Sequence, residues 1–311
     1  MGFRFPPHSL YEKDIDLYTF LPSVLDSRRG VCLGVSILYL CIAQRLDLPL
    51  EMITPPGHIF VRYCSDQEVI NIETTARGIH LDSIEYLNIN VRSLQKRTIR
   101  EVIGMIHFNQ ASVYWQNEEY EKALTAYQKA EPYMKDDPLL SELKSYALLL
   151  TGQKEEGEDL LKKIKDIIPE YTLVKNTMAE DYFSGNIDAK GIGIIFTKSD
   201  EDRQSLLKRK ELLEKTLEQF PRFQAGILSL AMVWLQLHRT REALDYLNLY
   251  QTLNSHNPEV HYYQTVLYLN RQDFPSAWFH LKKAEAIVKK HQYSPKILKE
   301  VRQELMSYCP E

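Results

Sequence analysis

The stretch "RRGVCLGVSILYLCIAQRLDLPLEMITPPGHIFVRY", residues 28–63, decides how the first part of this chain folds. A glycine-bearing loop runs into an apolar segment from Val31 to Ala43. Leu33, Ile37, Leu40 and Cys41 keep helical spacing there, and Asp47-Leu48-Pro49 closes it. The pattern predicts a helix with Cys32 in its first turn. Beyond it, "HIFVRY" and "EVINIE" alternate in polarity around a short polar turn, the signature of a β-hairpin.

A thiol in a first helical turn faces N–H groups that lack intrahelical partners, and also the positive end of the helix dipole. Both favour thiolate and predict a pKa below the ordinary value of about 8.5. A two-residue turn at Ser65-Asp66 pairs Cys64 with Gln67 and sets His58 directly opposite Glu73. Opposed residues share one face of a sheet, with Cβ atoms about 5 Å apart. A one-residue slip sends the two to opposite faces. Asn71 or Asp66 stands as an alternative orienting group. Taken singly, Cys32 is a buried thiol packing like a small hydrophobe and His58 a structural histidine. Together with Glu73 they make a nucleophile, a base and a carboxylate that orients the base. Cys41 is expected to pack on the apolar face, and Arg28 and Arg29 to cap or solvate their loop.

The blocks "LPSVLDSRRGVCLG", "PPGH" and "INIETTARG" resemble the transglutaminase-like superfamily, in its bacterial SirB-type branch, over about residues 3–80. The resemblance implies a small papain-like α+β domain. It implies Cys32 as nucleophile, His58 as base and Glu73, where the superfamily most often carries aspartate, as the group that orients the imidazole. The implied chemistry is acyl transfer or hydrolysis at an amide or ester carbonyl, with the Cys32 backbone N–H serving the oxyanion.

From about residue 100 the composition changes to long helical periods rich in Leu, Glu, Lys and Tyr. Ala123 lies 34 residues before Gly157, and Ala243 lies 34 before Ala277. Twelve residues ahead of the first and third of these stand Ala111 and Ala231, followed three residues later by Tyr114 and Trp234; Tyr268 holds the same place in the last repeat. Short side chains let two helices approach, and the aromatics fill the gaps beside them. Pro138, Pro169 and Pro258 fall at helix junctions. This pattern resembles the tetratricopeptide repeat, over roughly 104–170 and 224–291. The intervening 171–205 carries no helical stripe and is expected to be an irregular insertion, followed by a helix over about 202–219. Its "GIG" lacks the further glycine, the Lys-Ser/Thr and the preceding strand of a phosphate loop.

A net charge of −4 over 311 residues offers no attraction to nucleic acid or to an anionic membrane. The longest apolar run is too short to span a bilayer, and the N-terminal stretch has no signal-peptide core. The four cysteines form no Cys-x-x-Cys pair. Cys32, His58, Cys64 and His80 have no metal-ligand spacing, so neither a metal nor a cofactor is expected. Reduced thiols fit a cytoplasmic protein.

The expected architecture is an α+β papain/transglutaminase-like domain over 1–100, followed by an all-α tetratricopeptide-repeat array over 101–311. The expected function is a cysteine hydrolase or acyltransferase whose repeats hold a peptide or protein ligand in their groove. The alternative is a non-catalytic interaction scaffold with a degenerate transglutaminase-like domain.

Overall fold

The apolar run from residue 32 forms a helix that its neighbours approach, at one crossing, closely enough to leave room for backbone alone. A Cβ on Gly34 would stand 2.3 Å from the Tyr18 carbonyl oxygen, so helix and preceding chain meet there backbone to backbone. The computed structural model describes residues 5–6, 15–196 and 202–311. Its contacts divide the chain into two units, residues 1–87 with 93–160, and residues 88–92 with 161–311.

In the first unit, helices α1 (Ile15–Thr19) and α2 (Leu21–Ser27) lead into α3 (Cys32–Arg45). Leu33, Val35, Leu38, Leu40 and Ala43 are buried, whereas Ile37 and Cys41 of the expected stripe are only half-buried. The buried face is therefore wider than the spacing suggested. Strands β1 (Leu50–Thr54), β2 (Phe60–Cys64), β3 (Val69–Ile72) and β4 (Gln95–Arg97) form one antiparallel sheet in the order β3-β2-β1-β4. β1 and β4 were not anticipated from the sequence. β1 buries Met52, Ile53 and Thr54 consecutively and so lacks the alternation of a one-sided strand, while β4 is only three residues long.

The β2–β3 turn departs from expectation. Ser65 N donates to the Glu68 carbonyl at 3.0 Å, and Ser65 Oγ accepts from the N–H groups of Gln67 and Glu68 at 3.3 and 3.2 Å. The serine hydroxyl closes a four-residue loop, so Cys64 pairs with Val69 instead of Gln67. The register moves by two residues, which leaves every side chain on its expected face.

Helix α4 (Ile99–Gln116) begins at a capping box, in which Thr98 N donates to Glu101 Oε2 at 2.8 Å and Glu101 N to Thr98 Oγ1 at 3.2 Å. It joins the small domain through Asn109 Nδ2 to Thr19 Oγ1 (3.2 Å) and Gln110 Nε2 to Asp16 Oδ1 (2.7 Å). α5 (Tyr120–Ala130), α6 (Pro138–Leu150) and α7 (Lys154–Ile164) follow, and the division between units falls inside α7.

The second unit contains α8 (Met178–Phe183), α9 (Ala189–Ile195), α10 (Arg203–Gln219), α11 (Gln224–Gln236), α12 (Thr240–Leu253), α13 (Pro258–Asn270), α14 (Phe274–Lys290) and α15 (Lys296–Tyr308). The segment expected to be irregular therefore carries two short helices, and "GIG" lies inside α9 behind an Asp188 cap. α4–α5, α6–α7, α11–α12 and α13–α14 are antiparallel repeat pairs. Ala111, Ala123, Ala231, Ala243 and Ala277 are fully buried at the predicted close approaches, and Ser145 and Thr265 fill the equivalent places in the other two pairs. A short strap from early in the chain, residues 88–92, is built into this unit. Val91 bridges Thr172, Leu173 N donates to Asn90 O at 2.9 Å, and Asn90 Nδ2 donates to Glu259 Oε2 at 2.6 Å. Among the described residues, no helix is long and apolar enough to cross a membrane.

Candidate functional site

Cys32 is the first residue of α3, preceded by Val31 in extended geometry without a side-chain cap. The N–H groups of a first turn are left without helical partners, and here those of Leu33 and Cys32, with that of Ile59 from the neighbouring loop, turn toward the sulfur. They pull the thiol toward thiolate. Burial pushes harder the other way, with the Glu73 charge adding to it, and the net result is a pKa above the ordinary value. The depressed pKa expected from the helix start is thus reversed. Sequence position revealed the dipole but not how much protein covers the sulfur.

His58 is presented by the turn Pro55-Pro56-Gly57, in which His58 N donates to Pro55 O at 3.1 Å and Gly57 takes φ +74°, a left-handed conformation open to glycine. His58 Nε2 lies 2.7 Å from Glu73 Oε2. The imidazole side chain is 35% exposed and the carboxylate side chain 7%. Carrying the observed register one step on sets Phe60 opposite Glu73, so His58 meets the carboxylate diagonally along one face. Glu73 is held by its backbone as well. Its N–H donates to Ile79 O at 3.0 Å, and its carbonyl accepts from Gly78 N at 2.9 Å. One residue on, Thr74 Oγ1 lies 3.0 Å from Ser36 Oγ in a fully buried contact. Ser36 is one turn after Cys32, so this bond ties the carboxylate strand to the thiol helix.

The alternative partners for the ring are engaged elsewhere. Asn71 Oδ1 accepts from Arg62 Nε at 2.8 Å and Asn71 Nδ2 donates to Leu81 O at 2.7 Å, while Asp66 is exposed in the hairpin loop. His80 Nδ1 accepts from Asn71 N at 3.0 Å, and Cys64 Sγ lies 3.9 Å from Glu51 Oε2. Among the described residues, no group of three or more His, Cys, Asp or Glu is gathered for a metal.

One residue was missed altogether. Tyr86, at the end of a 3₁₀ turn (Ser83–Tyr86), donates its hydroxyl to Glu73 Oε1. Its ring stacks on Phe60 (4.4 Å, 21°) and faces the His58 ring (6.2 Å, 15°). Nothing in "DSIEYLN" marks a tyrosine that folds back thirteen positions to a carboxylate. A separate apolar pocket of about 350 Å³, lined by Tyr39, Ile42, Leu48, Leu50, Tyr63 and Ile72 among others, touches none of these residues.

A family model described as the transglutaminase-like superfamily matches residues 14–102. F-box only protein 21 of Mus musculus is 32% identical over 92 residues, 29% of this chain and 13% of that protein. Its Homo sapiens counterpart is 33% identical over the same shares. The matched segment therefore spans only 13% of the length of these curated relatives. Similar solved structures include a tetratricopeptide repeat protein from Parabacteroides merdae (TM-score 0.35, 15% identity, 65% of this chain and 71% of that one). A thermophilic TPR protein in Thermus thermophilus also matches (TM-score 0.31, 18% identity, 66% and 97%). The buried small residues recurring 34 residues apart in the helix pairs support the repeat architecture.

Proposed function

We propose that residues 1–100 form a transglutaminase-like cysteine hydrolase or acyltransferase, of protease or amidase type. Its substrate is a peptide or protein amide recruited by the helical repeats of residues 101–311. The observation that carries the reading is the 2.7 Å contact from His58 Nε2 to a buried Glu73 carboxylate, beside a helix that starts at Cys32.

An ionised carboxylate only accepts, so Glu73 requires the proton of His58 on Nε2 and leaves the Nδ1 lone pair as the base. The Cys32 proton passes to Nδ1 while the sulfur bonds to the carbonyl carbon, and the charge on oxygen is met by the Cys32 N–H. The C–N bond then breaks as Nδ1–H protonates the departing amine, leaving a thioester. Water or a second amine attacks the thioester, gives its proton to Nδ1, and releases acid or new amide as the thiol takes the proton back. Throughout, Glu73 holds the imidazolium that forms twice per cycle.

The burial that raises the thiol favours a second reading, a non-catalytic interaction scaffold with a degenerate domain. Labelling of the full chain at pH 7 by a thiol-directed amide-mimicking probe separates the two. On the catalytic reading Cys32 reacts, Cys32→Ala abolishes the adduct, and His58→Ala slows it by about a hundredfold. Labelling of Cys32 no faster than of Cys309, or indifferent to His58→Ala, leaves the scaffold reading in its place.

A further inference from the structure

We propose that Tyr86 is a positioning residue of this site. Its hydroxyl occupies the second oxygen of Glu73, so that Oε2 is committed to His58 Nε2–H and Nδ1 stays bare to receive the thiol proton. The inference rests on the catalytic reading only for its consequence; the geometry it asserts is independent of it.

A carboxylate held at one oxygen can rotate about its last torsion and offer either oxygen, or neither, to the ring. Glu73 is held at both: Oε2 by His58 and Oε1 by Tyr86. The tyrosine is itself located from two sides. Its ring is stacked on Phe60 and lies nearly parallel to His58, so it cannot swing without leaving that stack. Its 3₁₀ turn is clamped by the facing pair Arg62 and Asn71. Arg62 donates through a terminal nitrogen to Ser83 Oγ at 3.0 Å, and Asn71 Nδ2 donates to the same oxygen at 3.2 Å. Asn71 is 1% exposed, so the clamp is fixed in the sheet and not in a mobile side chain. Burial, then the hydrogen bond to Glu73 and the Glu73 charge, raise the phenol well above its ordinary pKa against the smaller pull of Arg62, so the hydroxyl keeps its proton and remains a donor.

The test reads the ring, not only the reaction. In full-length protein with ¹⁵N-labelled histidine, long-range ¹H–¹⁵N spectra near pH 8 are expected to show His58, assigned by its loss in His58→Gln, in the Nε2–H form. Tyr86→Phe keeps the stack and removes the hydroxyl. It is expected to bring the Nδ1–H form into view and to slow Cys32 alkylation by roughly tenfold, the scale of one hydrogen bond to a charged group. Ser83→Ala, which loosens the clamp while sparing the tyrosine, is expected to move both readouts part of the way. An unchanged tautomer in both variants overturns the inference, whatever happens to melting temperature. A shifted tautomer in a protein whose Cys32 is inert upholds the positioning and removes the catalytic reading instead.

Discussion

At the scale of single residues, the site depends on where backbone and side chains are allowed to come close. Gly34 is the sharpest case. Any side chain there meets the Tyr18 carbonyl and the backbone of Thr19, neither of which is the free end of a flexible group. Gly34→Ala is expected to destabilise the protein by roughly 3 kcal/mol, read as a fall in the urea midpoint, because the crossing must open. The Cys32 thiol illustrates competition at one atom: three N–H groups favour charge, yet burial prevails. Its alkylation, followed against pH, should therefore report a midpoint above the ordinary cysteine range in His58→Ala, where no base can take the proton.

At the scale of elements, the repeat pairs share one turn. Glu118, Gly152, His238 and Gln272 all take positive φ, 60°, 82°, 58° and 60°, and each closes its preceding helix. The following N–H donates back across the turn in every pair: Glu119 to Tyr114 (2.8 Å), Gln153 to Leu148 (2.9 Å), Arg239 to Trp234 (2.9 Å) and Asp273 to Tyr268 (2.9 Å). The 34-residue period thus appears in the backbone at positions where only one of the four residues is glycine. His238→Gly should raise stability by about 0.5–1 kcal/mol by relieving left-handed strain, a gain measurable by thermal melting.

The pair α13–α14 carries a different feature, two buried histidines packed against each other. His261 Nδ1 and His280 Nδ1 lie 3.2 Å apart, both nearly buried, in a network with Gln251 and Gln264. Burial lowers both pKa values, His280 to about 4 with the neighbouring His261 adding to it; at His261 the hydrogen bond to the Ser255 carbonyl opposes the shift, and the Lys283 and His256 charges support it. A base whose folded pKa is depressed stabilises the fold above its unfolded value and loses that contribution as pH falls. About 2 kcal/mol should disappear between pH 7 and pH 5. Chemical denaturation at the two pH values is expected to show the loss in the wild-type chain and a smaller one, left by His261, in His280→Phe.

At the scale of the whole molecule, the chain does not divide at one point. It passes between units after Leu87, after Arg92 and after Leu160, and the short strap between the first two passages completes the core of the second unit. Ile89 is 3% exposed in a cluster with Leu173, Leu281 and Leu298, and Tyr293 donates its hydroxyl to the carbonyls of Asn88 and Val91 at 2.8 and 3.0 Å. Ile89→Ala should cost about 3 kcal/mol in the second unit. A fragment beginning at residue 101 should melt lower than that unit does in the full chain and recover on addition of a peptide spanning 86–94. Equal melting with and without the peptide would show the strap to be dispensable.

Periodicity and side-chain size were sufficient to determine a good deal: a helix opening at Cys32, a hairpin bearing His58 and Glu73 on one face, and helix pairs meeting at buried alanines and a glycine spaced 34 residues apart. These depend on local geometry, where a period of two or 3.6 and the absence of a side chain act over a few residues. Even the misjudged hairpin turn kept the facing correct, because a two-residue shift preserves the pleat. Only the tertiary structure decided that the thiol is pushed up instead of down, that Tyr86 reaches Glu73, that a serine–threonine bond locks α3 to the strand end, and that residues 88–92 complete the second unit. Each of these is set by burial or by a partner distant along the chain, and no pattern within a window of sequence records what will cover a given atom.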